Sequence, residues 1–383
     1  MARSSILETP NWVERRADRI ADPVERLRFL RRHMRQKVSS PRTPARRNRV
    51  AHFASMVVGL IALVVIVPLP TGTAETFTKE KKLLVSGNQQ RTVTTLAPRV
   101  WLVDKSGVTE LYSNGLRIDL TFAVSNRPRR RFPVFPLGGG TEPRDEGSAP
   151  VGIVYHTTES NLAPFEEEEN HRLQRLGRNL MEWVRLDRSY HYVIDRFGRV
   201  YRVVQETDAA NHAGASIWAD DRGVYVNLND SFLGVSFEGQ TGSIGEMTPA
   251  QVSAGKILTE MLRSRYGISA QNCVTHAQVS VNPRNMRIGS HTDWADKFPF
   301  AGVGLPDNYS IPLASMLVFG FEYDSAFLRA TGTRWRGLDL AELQIARQAA
   351  AEGLETGRYR AILRHRFQDI AAALKEKSEE VVQ

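Results

Sequence analysis

The 383-residue chain has almost no cysteine. Its one thiol, Cys273, excludes an intrachain disulfide and any metal site built from cysteines alone. Beyond its first fifty residues it also lacks any charge imbalance. The net charge of +9 comes from 51 Lys and Arg against 42 Asp and Glu. Residues 1–50 hold 14 basic and 5 acidic side chains, which is the whole excess, and the remaining 37 of each sign cancel. The basicity therefore belongs to the N-terminal tail. Such a tail can touch nucleic acid, but the segment that follows explains its charge better, and no nucleic-acid partner is expected.

A third absence lies in residues 51–74, which contain no Asp, Glu, Lys or Arg. The twenty residues from Val50 to Leu69 are apolar nearly throughout, and as a helix they reach about 30 Å, enough to span a bilayer. A buried core helix is one alternative, but a twenty-residue run apolar on every face favours a span. A cleaved signal peptide ending near Ala74 is the other alternative, and the fifty-residue basic lead argues against it. Arg42, Arg46, Arg47 and Arg49 precede the run and Glu75 is the first charge after it. The positive-inside rule then puts residues 1–49 in the cytoplasm and everything after the span on the outer face of the cytoplasmic membrane. The expectation is a single-pass signal anchor over residues 50–70.

Residues 75–126 alternate in short apolar runs around Ser86-Gly87, Lys105 to Gly107 and Asn114-Gly115. An Asn-Gly pair between strand-like runs signals a hairpin, so this stretch is expected to be a small β module. Residues 127–150, with arginines at 127 and 129–131 and glycines at 138–140, are expected to be a linker with a solvated arginine cluster. Within 151–310, apolar strand-like runs mix with helical patterns. Leu173, Leu176, Leu180 and Val184 step by three and four residues after an acidic start. Tyr190 to Asp195 and Val200 to Val204 flank a turn at Phe197-Gly198. Thr248, Pro249 and Gln251 open a helix with an N-cap, a proline at its first position and a capping box, and Gly267 stops it. The expected class is mixed α/β: a central, mainly β sheet flanked by helices, preceded by a transmembrane helix and the β module. Residues 311–383 are expected to be a mainly helical C-terminal region, with Leu363, Phe367, Ile370 and Leu374 on one stripe.

The chemistry gathers where the histidines do. Six of nine lie between 156 and 291, namely His156, His171, His191, His212, His276 and His291. The run from Val151 to Tyr155 reads as a buried strand that delivers His156 to the rim of a sheet, and Val274-Thr275 does the same for His276. His291 is followed two residues on by Asp293. Imidazole and carboxylate are the ligands of a catalytic zinc, which takes three from protein and leaves a fourth position open. A lone strand-end histidine is more often structural; the clustering favours a metal. His191, alternating with Tyr190, reads as structural, and His171 as a solvated helix residue.

Six pieces carry a resemblance: Val154 to His156, Tyr190 to Gly198, His212 to Gly214, Leu233 to Gly239, Thr275-His276 and His291 to Asp293. In this order they resemble the type 2 N-acetylmuramoyl-L-alanine amidases, the fold shared with peptidoglycan recognition proteins and phage lysozyme-like amidases. The resemblance covers roughly residues 151–300. It implies Zn2+ held by His156, His276 and Asp293, a catalytic Tyr190, and a His212 that contacts the glycan–peptide substrate. Asn211 and Trp294 would line the groove, as would Trp218 unless it is core. Two positions depart from the pattern. Many bacterial members have a glutamate where Ser236 stands, and Glu238 follows two residues on. The lysine usual two residues before the third ligand is here His291. Either His291 replaces that lysine as a catalytic group, or His291 is the ligand and Asp293 orients it. The implied activity is zinc-dependent hydrolysis of the amide between N-acetylmuramic acid and L-alanine in peptidoglycan; the alternative is a membrane-anchored, non-catalytic peptidoglycan-binding module.

Overall fold

In the computed structural model, residues 98–241 and 247–380 are described. The basic tail and the apolar run at 50–70 lie outside them. Among the described residues no helix is long and apolar enough to cross a membrane.

The early strands are β1 (Leu102–Ser106), β2 (Thr109–Tyr112), β3 (Arg117–Asp119), β4 (Phe132–Val134) and β5 (Asp145–Gly147). Next come β6 (Gly152–Thr157), helix α1 (Asn170–Asp187), β7 (Tyr192–Ile194) and β8 (Val200–Arg202). Then follow β9 (Ile217–Asp220), β10 (Gly223–Val226), β11 (Phe232–Phe237), α2 (Pro249–Tyr266), β12 (Cys273–Thr275) and the single turn α3 (His276–Val279). A hairpin of β13 (Val281–Asn282) and β14 (Arg287–Ile288) leads to the C-terminal helices α4 (Ala314–Phe319), α5 (Ser325–Ala330), α6 (Arg336–Ala351) and α7 (Thr356–Glu380).

Eight strands form one mixed sheet in the order β1-β2-β3-β8-β7-β11-β6-β12. Strands β7, β11, β6 and β12 run parallel, with Ser236 beside His156 and Thr275 beside Tyr155. β6 is buried along its whole length, as expected of a parallel strand covered on both faces, and this is why it reads as an unbroken apolar run. On one face Tyr155 and Phe237 pack against Ala254, Leu258, Met261 and Leu262 of α2. Each such fully buried aliphatic side chain contributes about 1.5–3 kcal/mol. α1 lays Leu180, Met181 and Val184 on Val193, Tyr201 and Val203. The capping box of α2 forms as expected, with Thr248 Oγ1 accepting from the Gln251 N–H and Gly267 closing the helix at φ 65°. The C-terminal helices bury Phe319, Phe367 and Ile370 in a cluster shared with Ile217, Val224, Val281 and Ile288 of the preceding strands.

Two expectations about organisation differ from what is seen. The strands at 102–119 do not stand apart as a module: β3 bonds to β8 in parallel and extends the central sheet. The 127–150 stretch carries β4 and β5, and two of its arginines are anchored while Arg130 and Arg131 are exposed as expected. Arg127 makes a two-pronged bond to Asp230 at 2.6 and 2.9 Å. Arg129 donates to the carbonyls of Glu206, Asp230 and Asp208. A guanidinium forms such multiple bonds readily, because its five donors sit in a fixed fork. Sequence shows the charges and not the carbonyls that receive them.

Candidate active site

His156 stands one residue before the C-terminal end of β6, and His276 follows directly on the end of the neighbouring β12. Crevices at the carboxyl ends of parallel strands are where open α/β sheets place ligands. Asp293 arrives from the loop after β14. The loop is held by Ser280, whose Oγ donates to the His291 carbonyl and accepts its N–H, both at 3.0 Å. The hairpin of β13 and β14 accounts for the long stretch between His276 and Asp293.

The three side chains converge. Asp293 Oδ2 lies 3.1 Å from His156 Nδ1 and 3.1 Å from His276 Nδ1, and Oδ1 lies 2.9 Å from His276 Nδ1. All three residues are buried, and one donor atom from each falls within 4.8 Å of the others. Donors around a tetrahedral zinc bonded at 2.0–2.1 Å lie about 3.3 Å apart. Both the spacing and the donor set therefore fit a single Zn2+. A further sign is that His276 Nε2 is buried with no hydrogen-bond partner among the described residues, as suits a ring whose main partner is at its other nitrogen. Burial alone would raise the Asp293 carboxyl's pKa, but the His276 and His156 imidazoles against it hold it well below the usual carboxylate range. Burial, with His276 adjacent, lowers His156 to about 4. The site thus offers an anionic carboxylate and a neutral His156 imidazole at neutral pH, the forms that ligate.

The other expected site residues are placed as follows. The Tyr190 ring lies 5.0 Å from that of His156, its backbone in the left-handed region at φ 56°, and its hydroxyl reaches the Thr157 carbonyl at 3.5 Å. Burial and the Asp293 charge push its pKa up, so it stays a proton donor. His291 stacks on His276, centroids 4.5 Å apart and planes within 15°. Partial burial and that neighbour depress its basicity. Glu238, with its pKa raised by burial, accepts the Arg196 N–H at 3.0 Å. It lines a cleft with Thr157, Arg196, Gln240 and Trp294. The Trp294 ring packs on Phe298.

His212 is only 8% exposed, and both its ring nitrogens are engaged inside the protein, with His156 Nε2 at 3.2 Å and the Phe232 carbonyl at 3.3 Å. Asn211 is exposed and spends its amide on the Asp187 carbonyl at the end of α1. Trp218 is core, donating to Asn272 Oδ1 at 3.0 Å. His191 is fully buried among the Gly234 N–H, the Asp208 carbonyl and Arg129 Nη2, and His171 is exposed on α1. Sequence reasoning missed Glu159. Its carboxylate accepts from the hydroxyls of Thr157 and Thr241 and from the Thr241 N–H, tying two loops beside the site, and its backbone sits at φ 50°. No sequence signal marks it. Gly234 was legible in principle, since a glycine inside a strand often marks a close approach; a Cβ there would lie 2.6 Å from His212 Cγ.

Residues 146–295 match the family model Amidase_2, described as N-acetylmuramoyl-L-alanine amidase. No curated protein matches the chain. Among solved structures, the amidase LysC from Clostridium intestinale URNW is 22% identical, over 40% of this chain and 82% of that one, with a TM-score of 0.26. AmpDh3 from Pseudomonas aeruginosa, solved with an anhydromuramic pentapeptide, is 20% identical, over 49% of this chain and 84% of that one, with a TM-score of 0.35. The Drosophila recognition protein PGRP-SD is 18% identical, over 40% and 79%, with a TM-score of 0.26. The family match spans His156, His276 and Asp293, and on these grounds the chain carries a type 2 N-acetylmuramoyl-L-alanine amidase domain with a two-histidine, one-aspartate metal site.

Proposed function

We propose that this domain hydrolyses the amide joining the lactyl group of N-acetylmuramic acid to L-alanine in peptidoglycan. The observation that carries the reading is the convergence of His156, His276 and Asp293 at zinc-ligand spacing inside the matched family region. Zinc held there supplies a Lewis acid that polarises the scissile carbonyl and makes water a nucleophile near neutral pH. The remaining work falls to the protein. The Tyr190 hydroxyl, kept protonated, donates a hydrogen bond to the carbonyl oxygen as negative charge develops on it. His291, exposed to solvent beside His276 and of depressed basicity, moves the proton from attacking water to the leaving amine. Glu238 is a second proton carrier, as its raised pKa suits that role. Trp294 and the Glu238 cleft hold the substrate, with Asn211 at its margin. We take the 50–70 run as a single-pass anchor that keeps the domain beside the wall, on the outer side of the cytoplasmic membrane.

The test is digestion of purified muropeptides by the full chain, with and without a chelator, followed by mass spectrometry. The expected products are lactyl-bearing sugar and free stem peptide, lost on chelation and restored by zinc. Zinc-loaded protein that leaves muropeptides intact would instead indicate a binding module without turnover.

A further inference from the structure

The buried imidazole of His212 lies behind the metal site. Its Nε2 faces the Phe232 carbonyl at 3.3 Å. A carbonyl only accepts, so Nε2 carries the proton and Nδ1 is left with a lone pair. That lone pair faces His156 Nε2 at 3.2 Å. The proton of His156 therefore sits on Nε2, and its Nδ1 is bare where it meets Asp293 Oδ2 at 3.1 Å. Two acceptors at that distance repel unless a cation lies between them. The ring of His212 is itself fixed. It lies over Gly234, where only a missing side chain leaves room. On its other side stands His191, 5.7 Å away between ring centroids. His191 is held in turn: its Nδ1 accepts the Gly234 N–H at 3.0 Å, and its Nε2 lies 3.0 Å from Arg129 Nη2 and 3.1 Å from the Asp208 carbonyl. Among the described residues His276 has no comparable support, its Nε2 having no hydrogen-bond partner there.

We propose that His212 is a positioning residue and not a substrate contact: by accepting the Nε2 proton of His156 it holds that ring in the tautomer whose Nδ1 lone pair faces the metal position. This rests on the zinc reading of the site. It makes His156 the preorganised ligand, built into the fold before metal arrives, and His276 the one that adjusts. An imidazole oriented through its far nitrogen is a common support for metal ligands. Here the support is a second imidazole backed by a main-chain carbonyl.

The experiment uses the purified full chain as wild type, His212→Leu and His212→Asn. Zinc affinity is read by competition with a chromogenic chelator, and the tautomer of His156 by long-range proton–nitrogen NMR on the metal-free, histidine-labelled protein. Wild type should show His156 protonated at Nε2. His212→Leu should bind zinc about 10–100-fold more weakly. His212→Asn, whose amide oxygen falls near the place of Nδ1, should recover most of the loss. Folded His212→Leu that binds zinc as tightly as wild type would overturn the proposal, as would a wild-type His156 protonated at Nδ1. If the leucine variant does not fold, the wild-type tautomer and the asparagine variant decide. A wild-type chain that binds no zinc at all would instead overturn the metal reading, and the NMR result would still decide the tautomer.

Discussion

Asp293→Asn should weaken zinc binding by more than about 100-fold, beyond the 10–100-fold typical of a supporting residue, and abolish muropeptide cleavage. The carboxylate is the one anionic donor of the three and lies within 3.1 Å of Nδ1 of both histidines. Asparagine keeps its shape and removes its charge, so the metal-free protein should remain folded. What disappears is stabilisation by zinc. A ligand at 100 times its Kd stabilises the native state by about 2.7 kcal/mol, and a chain of this size gains roughly 2–4 °C in Tm per kcal/mol. Wild type should therefore melt about 5–10 °C higher with zinc, and Asp293→Asn should show no such rise. The partner variant His291→Gln separates the two ligand assignments. With Asp293 as ligand, His291→Gln loses cleavage and keeps zinc. The opposite pattern, zinc lost in His291→Gln and kept in Asp293→Asn, would transfer the ligand role to His291.

The second large effect concerns stability at the opposite end of α2. Arg202 is buried, its side chain 3% exposed, between Glu110 at 2.7 Å and Glu206 at 3.2 Å. It also donates to the hydroxyls of Tyr112 and Tyr192. Burial alone would lower the pKa of the guanidinium, but the surrounding Tyr192 and Glu206 raise it. Arg202→Met would strip two buried carboxylates of their buried counter-ion, leaving Glu110 only the exposed Lys105 at 3.4 Å and Glu206 only the half-exposed Arg265 at 3.8 Å. Breaking a buried pair from one side costs about 3–5 kcal/mol, and at 2–4 °C per kcal/mol Tm should fall by roughly 10 °C. Calorimetry of the variant checks this. Adding Glu110→Leu to Arg202→Met should recover part of the loss, because it removes one stranded charge. A fall of only a degree or two in the single variant would mean that the cluster is solvated and weak.

The metal site was legible because each ligand ends a recognisable local pattern. His156 closes an apolar run, His276 follows Val274-Thr275, and Asp293 stands two residues after His291. The capping box of α2 was equally plain, being a contact between residues three apart. What sequence hid was pairing at long range. Glu110 and Arg202 are 92 residues apart and Arg127 and Asp230 are 103 apart. Periodicity reports which face of an element is buried and says nothing about which distant charge meets it. The same limit made β1 to β3 look like a separate module. Their alternation is genuine, but the parallel bonding of β3 to β8 has no local signature. His212 carried a motif, but whether an imidazole faces substrate or a neighbouring ring depends on the packing around Gly234, which a motif does not report.

Zinc K-edge X-ray absorption on the purified full chain tests the metal centre most directly. The arrangement of His156, His276 and Asp293 predicts one zinc with only nitrogen and oxygen neighbours at about 2.0–2.1 Å and the outer-shell scattering of two imidazoles. A sulfur neighbour at about 2.3 Å, a third imidazole, or a chain that retains no zinc would contradict it.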